Sequence, residues 1–184
     1  MKEERRVFLT TKDLDLVMIK KEDANQILKW FHDPEVNQFL NNGEFPLTTE
    51  FEEKYIIELY EKPTKLQLGI YHRKDKKLIG TVGIHNIHAV HLQGSFGIAI
   101  GDKTYWGKRC GEQTLKAMLY WSFNIRGLRT ITLEVLANNP RGKRCYEKCG
   151  FVQIGIIPQS VFKQGKWHDR HIMMAQNPQI KLAQ

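Results

Sequence analysis

Residues 96–151 read FGIAIGDKTYWGKRCGEQTLKAMLYWSFNIRGLRTITLEVLANNPRGKRCYEKCGF, and this stretch decides the fold. A β-rich run, Phe96–Gly101, passes through a turn with two glycines and two cations, Trp106–Gly111, into a helix over Gly111–Asn124. Leu115, Met118, Leu119 and Phe123 lie on one face of that helix, which makes the face core. Arg126-Gly127 closes it, and Thr130–Leu136 (TITLEVL), rich in β-branched residues, reads as a strand. Asn138-Asn139-Pro140 opens a second helix, with Asn139 at the N-cap, Pro140 at the first helical position and Gly150 past its end. The first helix start gathers unpaired N–H groups and the positive end of a helix dipole, where an anion settles readily. Lys108 and Arg109 add two full charges there. A tight turn with solvated cations accounts for the hexapeptide equally well.

Toward the N-terminus, Leu14–Ile19 (LDLVMI) is a strand, and Lys20-Lys21-Glu22-Asp23 leads into a helix with Ile27, Leu28 and Phe31 at helical spacing. Asp33 caps a restart at Pro34, followed by the apolar stripe Val36, Phe39, Leu40. Asn41-Asn42-Gly43 is a loop. Thr48 or Thr49 then opens a helix to about Tyr60, with Phe51, Tyr55, Ile56 and Leu59 inward. Leu66–Tyr71, Leu78–Ile87 and Gln93–Ile100 form an antiparallel meander. Gly97 inside the third of these strands marks a bulge or the close approach of some group to the backbone. Toward the C-terminus, Phe151–Ile157 and Lys166–Met174 are two final strands around the turn Lys163-Gln164-Gly165. Repeats, low-complexity tracts and linkers are lacking, so the reading is one mixed α/β domain.

At 184 residues the chain buries roughly 70% of its unfolded surface without a staple. Hydrophobic content of 41% and charged content of 26% are those of an ordinary globular protein. No apolar run approaches the roughly 20 residues of a membrane span, and MKEERRVFL lacks a secretory apolar region, so the expectation is a cytoplasmic protein without a membrane partner. Cys110, Cys145 and Cys149 form no C-x-x-C pair, and the last two share a helix face as small core residues. His85, His88 and His91 recur every third residue, which fits no single strand face, and neither Cys nor paired carboxylates join them. No metal site is expected. The net charge of +8 is uneven: Asp102–Lys148 holds ten Lys/Arg against four acids, and Asp33–Lys62 holds eight acids against two lysines. A polyanion would be steered to the second half and a cation to the first.

YWGKRCGEQTLKAML, LEVLANNPRGKRCYEKCGF, LDLVMIKKEDANQILKWFHDPEVNQFL and KQGKWHD together resemble the GNAT superfamily of N-acetyltransferases, and most closely its ribosomal-protein-alanine and polyamine acetyltransferase branch. The resemblance runs from about Leu14 to Met174, within one domain over 1–184 whose termini are expected to be loose. Its most specific piece is Asn139-x6-Tyr146 followed by Glu-Lys-x-Gly-Phe. The family's Q/R-x-x-G-x-G/A appears as Trp106–Gly111, with Trp106 for Gln/Arg and Arg109 for the middle glycine. A side chain at Arg109 asks for backbone angles open to non-glycine residues, and its guanidinium offers a charged contact in exchange. The implied fold is α/β (α+β), with a central mixed, mostly antiparallel twisted sheet of about seven strands, splayed in the middle, and helices on both faces.

The implied co-substrate is acetyl-CoA, with no metal. Its cradle would be Trp106, Gly107, Lys108, Arg109, Cys110, Gly111 and Glu112, with Lys143 nearby, and its arm would lie along Ile98, Ala99 and Ile100, where a bulge exposes backbone N–H groups. Asn139 would hold the arm, or only cap its helix. Tyr146 would be the acid that protonates the departing thiolate, or a half-buried helix tyrosine. Glu134 would deprotonate the amine, or face solvent from its strand. No acyl-enzyme residue is implied, since the family transfers by direct attack. The acceptor would be a small-molecule amine or a protein N-terminal amine, favoured cationic by the acidic helices walling the site. Oligomeric state is not readable from the residues, but relatives in this family commonly pair through the final strands, so the resemblance admits a homodimer. Two other classes fit the composition, a basic nucleic-acid-binding domain and a non-catalytic acyl-CoA sensor. No recognised nucleic-acid motif is present, so no nucleic-acid partner is expected.

Overall fold

Alternating apolar side chains build one mixed sheet in the computed structural model, which describes residues 5–40, 46–61 and 64–179. Among the described residues the strands are β1 (Val7–Thr10), β2 (Leu14–Val17), β3 (Leu66–His72), β4 (Lys77–His88), β5 (Gln93–Ile100), β6 (Thr130–Leu136), β7 (Val152–Lys163) and β8 (Lys166–Gln176). Their order across the sheet is β1-β2-β3-β4-β5-β6-β8-β7. Every neighbouring pair is antiparallel except β5 and β6. The architecture is the expected one with one strand more. That strand, β1, lies upstream of Leu14 and pairs with β2. Four residues beside a charged run carry too little pattern to be read alone, and β2 supplies the pairing that makes them a strand.

The helices are α1 (Ala24–Phe31), α2 (Pro34–Asn37), α3 (Thr49–Glu58), α4 (Cys110–Tyr120) and α5 (Pro140–Lys148). Their starts follow the capping chemistry. Asp33, Thr48 and Asn139 each accept a backbone N–H of the first turn, and Pro34 and Pro140 sit where no N–H is needed. The helix expected over Gly111–Asn124 changes character after Tyr120 and continues as a π turn over Trp121–Ile125. Two apolar layers sandwich the sheet. α4 buries Leu115 and Met118 with Leu16, Ile70, Val82 and Ile84. On the other face Ile27, Trp30, Val36 and Ile56 of α1–α3 pack on Val17, Ile19 and Leu78.

One helix face differs from expectation. Ile56 and Leu59 of the α3 segment point inward, whereas Phe51 is 57% exposed and its neighbour Glu52 only 4%. The loop expected at Asn41-Asn42-Gly43 and the looseness expected at the extreme termini fall on residues outside those described. Lys163-Gln164-Gly165 forms the β7–β8 turn, with positive φ at Gln164 and Gly165. Among the described residues, no helix is long and apolar enough to cross a membrane.

Candidate active site

A failure of pairing opens the site. β5 and β6 pair only where Gln93–Ser95 face Thr130–Thr132. Beyond that point β5 stays on β4 as far as Ile100 opposite Gly80, and β6 stays on β8 as far as Leu136 opposite Arg170. The two strands splay apart, leaving one edge of Phe96–Ile100 without a strand to pair with. A cavity of about 310 Å³ fills one side of the splay, lined by Ile98, Ala99, Ile100, Trp106, Gly107, Arg109, the start of α4, Asn139 and Tyr146. A second cavity, of about 890 Å³, lies toward α3 and β4 and is lined by Glu52, Tyr55, His85 and Gly97 among others. Both are bounded by Phe39, Leu40, Ile98, Ala99, Glu134 and Tyr146, so they meet at those six residues.

The Trp106–Gly111 turn keeps the shape of an anion cradle. Gly107 sits at φ +77° with open space where a Cβ would stand. Arg109 occupies the left-handed region, φ 59° and ψ 12°, directly before the first residue of α4. The angles open to any side chain that were expected there are not adopted: the backbone takes the conformation glycine favours, at a cost of roughly 1–2 kcal/mol. α4 has no side-chain cap. Its first N–H groups have no intrahelical acceptor either, and they face the cavity with Arg109 and Gly111. Trp106 donates its Nε1–H to the carbonyl of Ile100 at 2.7 Å. The Arg141 guanidinium stacks over the Trp106 ring, 3.9 Å from its centroid.

Not every expected residue converges here. Lys143 donates to Gln153 at 2.9 Å and is absent from the cavity wall. Lys108 also lies off the wall, with Nζ over the Tyr105 ring. Glu112 is on the wall but committed to Lys116 at 2.6 Å, whose charge holds its carboxyl below the ordinary carboxylate range. Arg141, Arg144 and Lys148 supply cations that were not singled out from the sequence. Helical spacing from Arg141 could have found them, since 141, 144, 145 and 148 share one face of α5.

Asn139 Oδ1 caps α5, accepting from the Gly142 N–H at 2.9 Å. Tyr146 packs edge-on against Phe96, with ring centroids 6.3 Å apart, and tilted against Phe151 at 6.0 Å. Burial, and secondarily the Cys145 thiol, push its phenol well above the ordinary value, so it holds its proton at neutral pH. Glu134 accepts from Arg170 at 2.7 Å, so one carboxylate oxygen is engaged in an ion pair. Cys145 and Cys149 are free thiols, and their mutual hydrogen bond lowers the first and raises the second. Among the described residues no cluster of three or more His, Cys, Asp or Glu could hold a metal.

The acidic excess of the first half is mostly spent elsewhere. Asp33 and Glu35 pair with Lys103, Glu53 with Lys21, and Glu58 with Lys54. Glu52 faces the larger cavity instead, and desolvation raises its pKa. Phe31, Phe39, Phe51 and Tyr55 line the same cavity.

The chain is similar to known proteins in sequence and in fold. The family model described as acetyltransferase (GNAT) domain matches residues 13–152. The spermidine N(1)-acetyltransferase of Vibrio cholerae is 31% identical over 138 residues, covering 71% of this chain and 79% of that protein. YoaA of Bacillus subtilis, named an N-acetyltransferase, is 26% identical over 172 residues, covering 92% of this chain and 97% of that protein. The crystal structure of the Vibrio cholerae spermidine N-acetyltransferase in complex with CoA and spermine superposes with a TM-score of 0.81 at 24% identity, over 90% of this chain and 96% of that one.

Proposed function

The chain belongs to the acetyltransferase (GNAT) family, and on that premise we propose that it transfers the acetyl group of acetyl-CoA by direct attack of a cationic primary amine. Enzymes of this family use acetyl-CoA as co-substrate. The residues present fit it. The open Gly107 turn, the uncapped start of α4 and Arg109 suit a polyphosphate, and the unpaired edge Ile98–Ile100 suits an extended amide-bearing arm. Asn139 lines the same cavity, which leaves its amide N–H groups free to serve that arm while its oxygen caps α5. Trp106 closes the end of the edge by taking up the Ile100 carbonyl.

One observation carries the reading: two cavities, one basic and one holding a buried carboxylate, meet at the protonated phenol of Tyr146. A phenol there gives its proton to the sulfur as the thiolate leaves. Glu52 and the aromatic walls favour an acceptor bearing positive charge, with the polyamine class foremost, since the carboxylate attracts the cation and ring faces stabilise it. Glu134, at the junction, supplies a second carboxylate oriented by Arg170. Exposed Val152, Ile154 and Ile156 on the sheet's last strand, with Phe162 and Trp167 exposed at its hairpin end, support pairing of two copies along that edge.

Thiol release from acetyl-CoA, read over a panel of a polyamine, an amino sugar and a peptide with a free N-terminus, tests the reading. Release with a cationic amine is expected. Absence of both CoA binding and release with every amine would overturn it.

A further inference from the structure

Thr81, Gly83 and His85 share one face of β4, and their cross-strand partners Ala99, Gly97 and Ser95 continue that face on β5. The His85 ring does not stand upright on this face. It leans along the strand over the glycine pair, its Nε2 2.9 Å from where a Cβ of Gly83 would be and 3.7 Å from one at Gly97. Both glycines are therefore floor for an imidazole, and the group that approaches the backbone at Gly97 is this ring. The lean carries Nε2 toward Gly97 and Ala99, the stretch that borders the junction of the two cavities, and His85 and Tyr146 line the same larger cavity. Among the described residues no hydrogen bond or ion pair engages either ring nitrogen of His85. The carboxylate at the junction, Glu134, is by contrast engaged by Arg170.

We propose that His85 is the catalytic base of this enzyme, its unpartnered imidazole taking the proton that the acceptor nitrogen must lose. The inference rests on the acetyl-transfer reading above. In balance, the attacking nitrogen enters in its neutral –NH2 form, the acceptor's positive charge lying on its other nitrogens, and forms its bond to the acetyl carbon while the carbon–sulfur bond breaks. The nitrogen's proton passes to an imidazole nitrogen of His85, and the sulfur takes the phenolic proton of Tyr146. Solvent then returns His85 and Tyr146 to their starting states. Burial, and secondarily the charge of Lys65, lower the His85 pKa below its ordinary 6.5, so the ring is neutral and able to accept at pH 7. The other titratable groups around it are Glu52 and Tyr55 on α3, with Glu134 and Tyr146 across the cavity. Glu52 is the neighbour whose own titration could imitate that of His85, which the test separates.

The test is the pH profile of kcat/KM for acetyl transfer to spermidine by wild type, H85Q, E52Q and E134Q, each checked for CoA binding as a measure of folding. Wild type is expected to lose activity below pH 6.5 with a single acid limb. H85Q should lose about 10²-fold at neutral pH and the limb with it, while E52Q and E134Q keep the limb. H85A should regain turnover with added imidazole, which fits the space above the two glycines. An H85Q profile parallel to wild type and within threefold of it, an H85A enzyme that imidazole does not rescue, or loss of the limb in E134Q in place of H85Q would overturn the assignment. A wild type that releases no thiol with any amine would sink the transfer reading itself, a result distinct from these.

Discussion

Glu52 is a carboxylate 4% exposed, held in an aromatic cavity, and desolvation makes it hold its proton more tightly folded than unfolded. The folded state therefore binds more protons than the unfolded one between the ordinary value of 4.5 and the raised one, so stability falls as pH rises through that window. E52Q has no charge to desolvate. Denaturant melts from pH 4 upward should show wild type losing stability and E52Q lacking that decline; parallel curves would mean that Glu52 is solvated. Arg109 presents a second residue-scale conflict, between a backbone suited to glycine and a cation suited to phosphate. R109G should leave stability unchanged or raise it by up to about 1 kcal/mol. It should also raise the CoA Kd severalfold in low salt, and an unchanged Kd would show the guanidinium to be only solvated. Arg109 was legible as a cation at the helix start, whereas its left-handed backbone and the burial of Glu52 were not. Glu52 counted only as one of the eight acids of Asp33–Lys62, because Phe51 beside it is the larger apolar side chain and helical spacing assigns it inward. The exposed Phe51 reflects α3 turning its carboxylate toward a cavity that no local pattern announces.

Elements were more readable than residues, because their signals are local. Asp33, Thr48 and Asn139 cap the helices their side chains announce, and β-branched TITLEVL is β6. N139A should destabilise α5 by about 1 kcal/mol through the lost cap, read as a lower unfolding midpoint. If Asn139 also serves the arm, the same variant weakens CoA binding when compared at temperatures where it is fully folded; affinity equal to wild type would leave it only a cap. β1 and the π turn after Tyr120 escaped for a different reason. β1 exists because β2 offers an edge. The π turn lets the Arg126 N–H reach the Trp121 carbonyl at 2.8 Å, and no spacing rule foretells that adjustment. Gly97 is the instructive intermediate. Its position in a strand signalled a close approach, and the approaching group, the His85 ring, became visible only in register with Gly83.

At the scale of the whole molecule, the uneven charge read from the sequence resolves into paired and unpaired parts. Lys103 bridges back to Asp33 and Glu35, tying α2 to the turn ahead of the cradle, and Arg5 grips Asp23 with two hydrogen bonds of 2.7 and 2.6 Å. Arg109 and Glu52 line the two cavities where ligands of opposite sign would enter, one on each side of the splay. Long-range pairs such as these depend on the sheet order β5-β6-β8, which places Arg170 beside Glu134 and occupies the carboxylate that the family resemblance nominates as base. The account turns on Tyr146 delivering a proton at the junction of the two cavities. Its most direct measurement is Y146F, assayed for CoA affinity and for turnover with the best amine. The prediction is a CoA Kd within threefold of wild type and kcat lowered by 10²-fold or more. Turnover within twofold of wild type would contradict it.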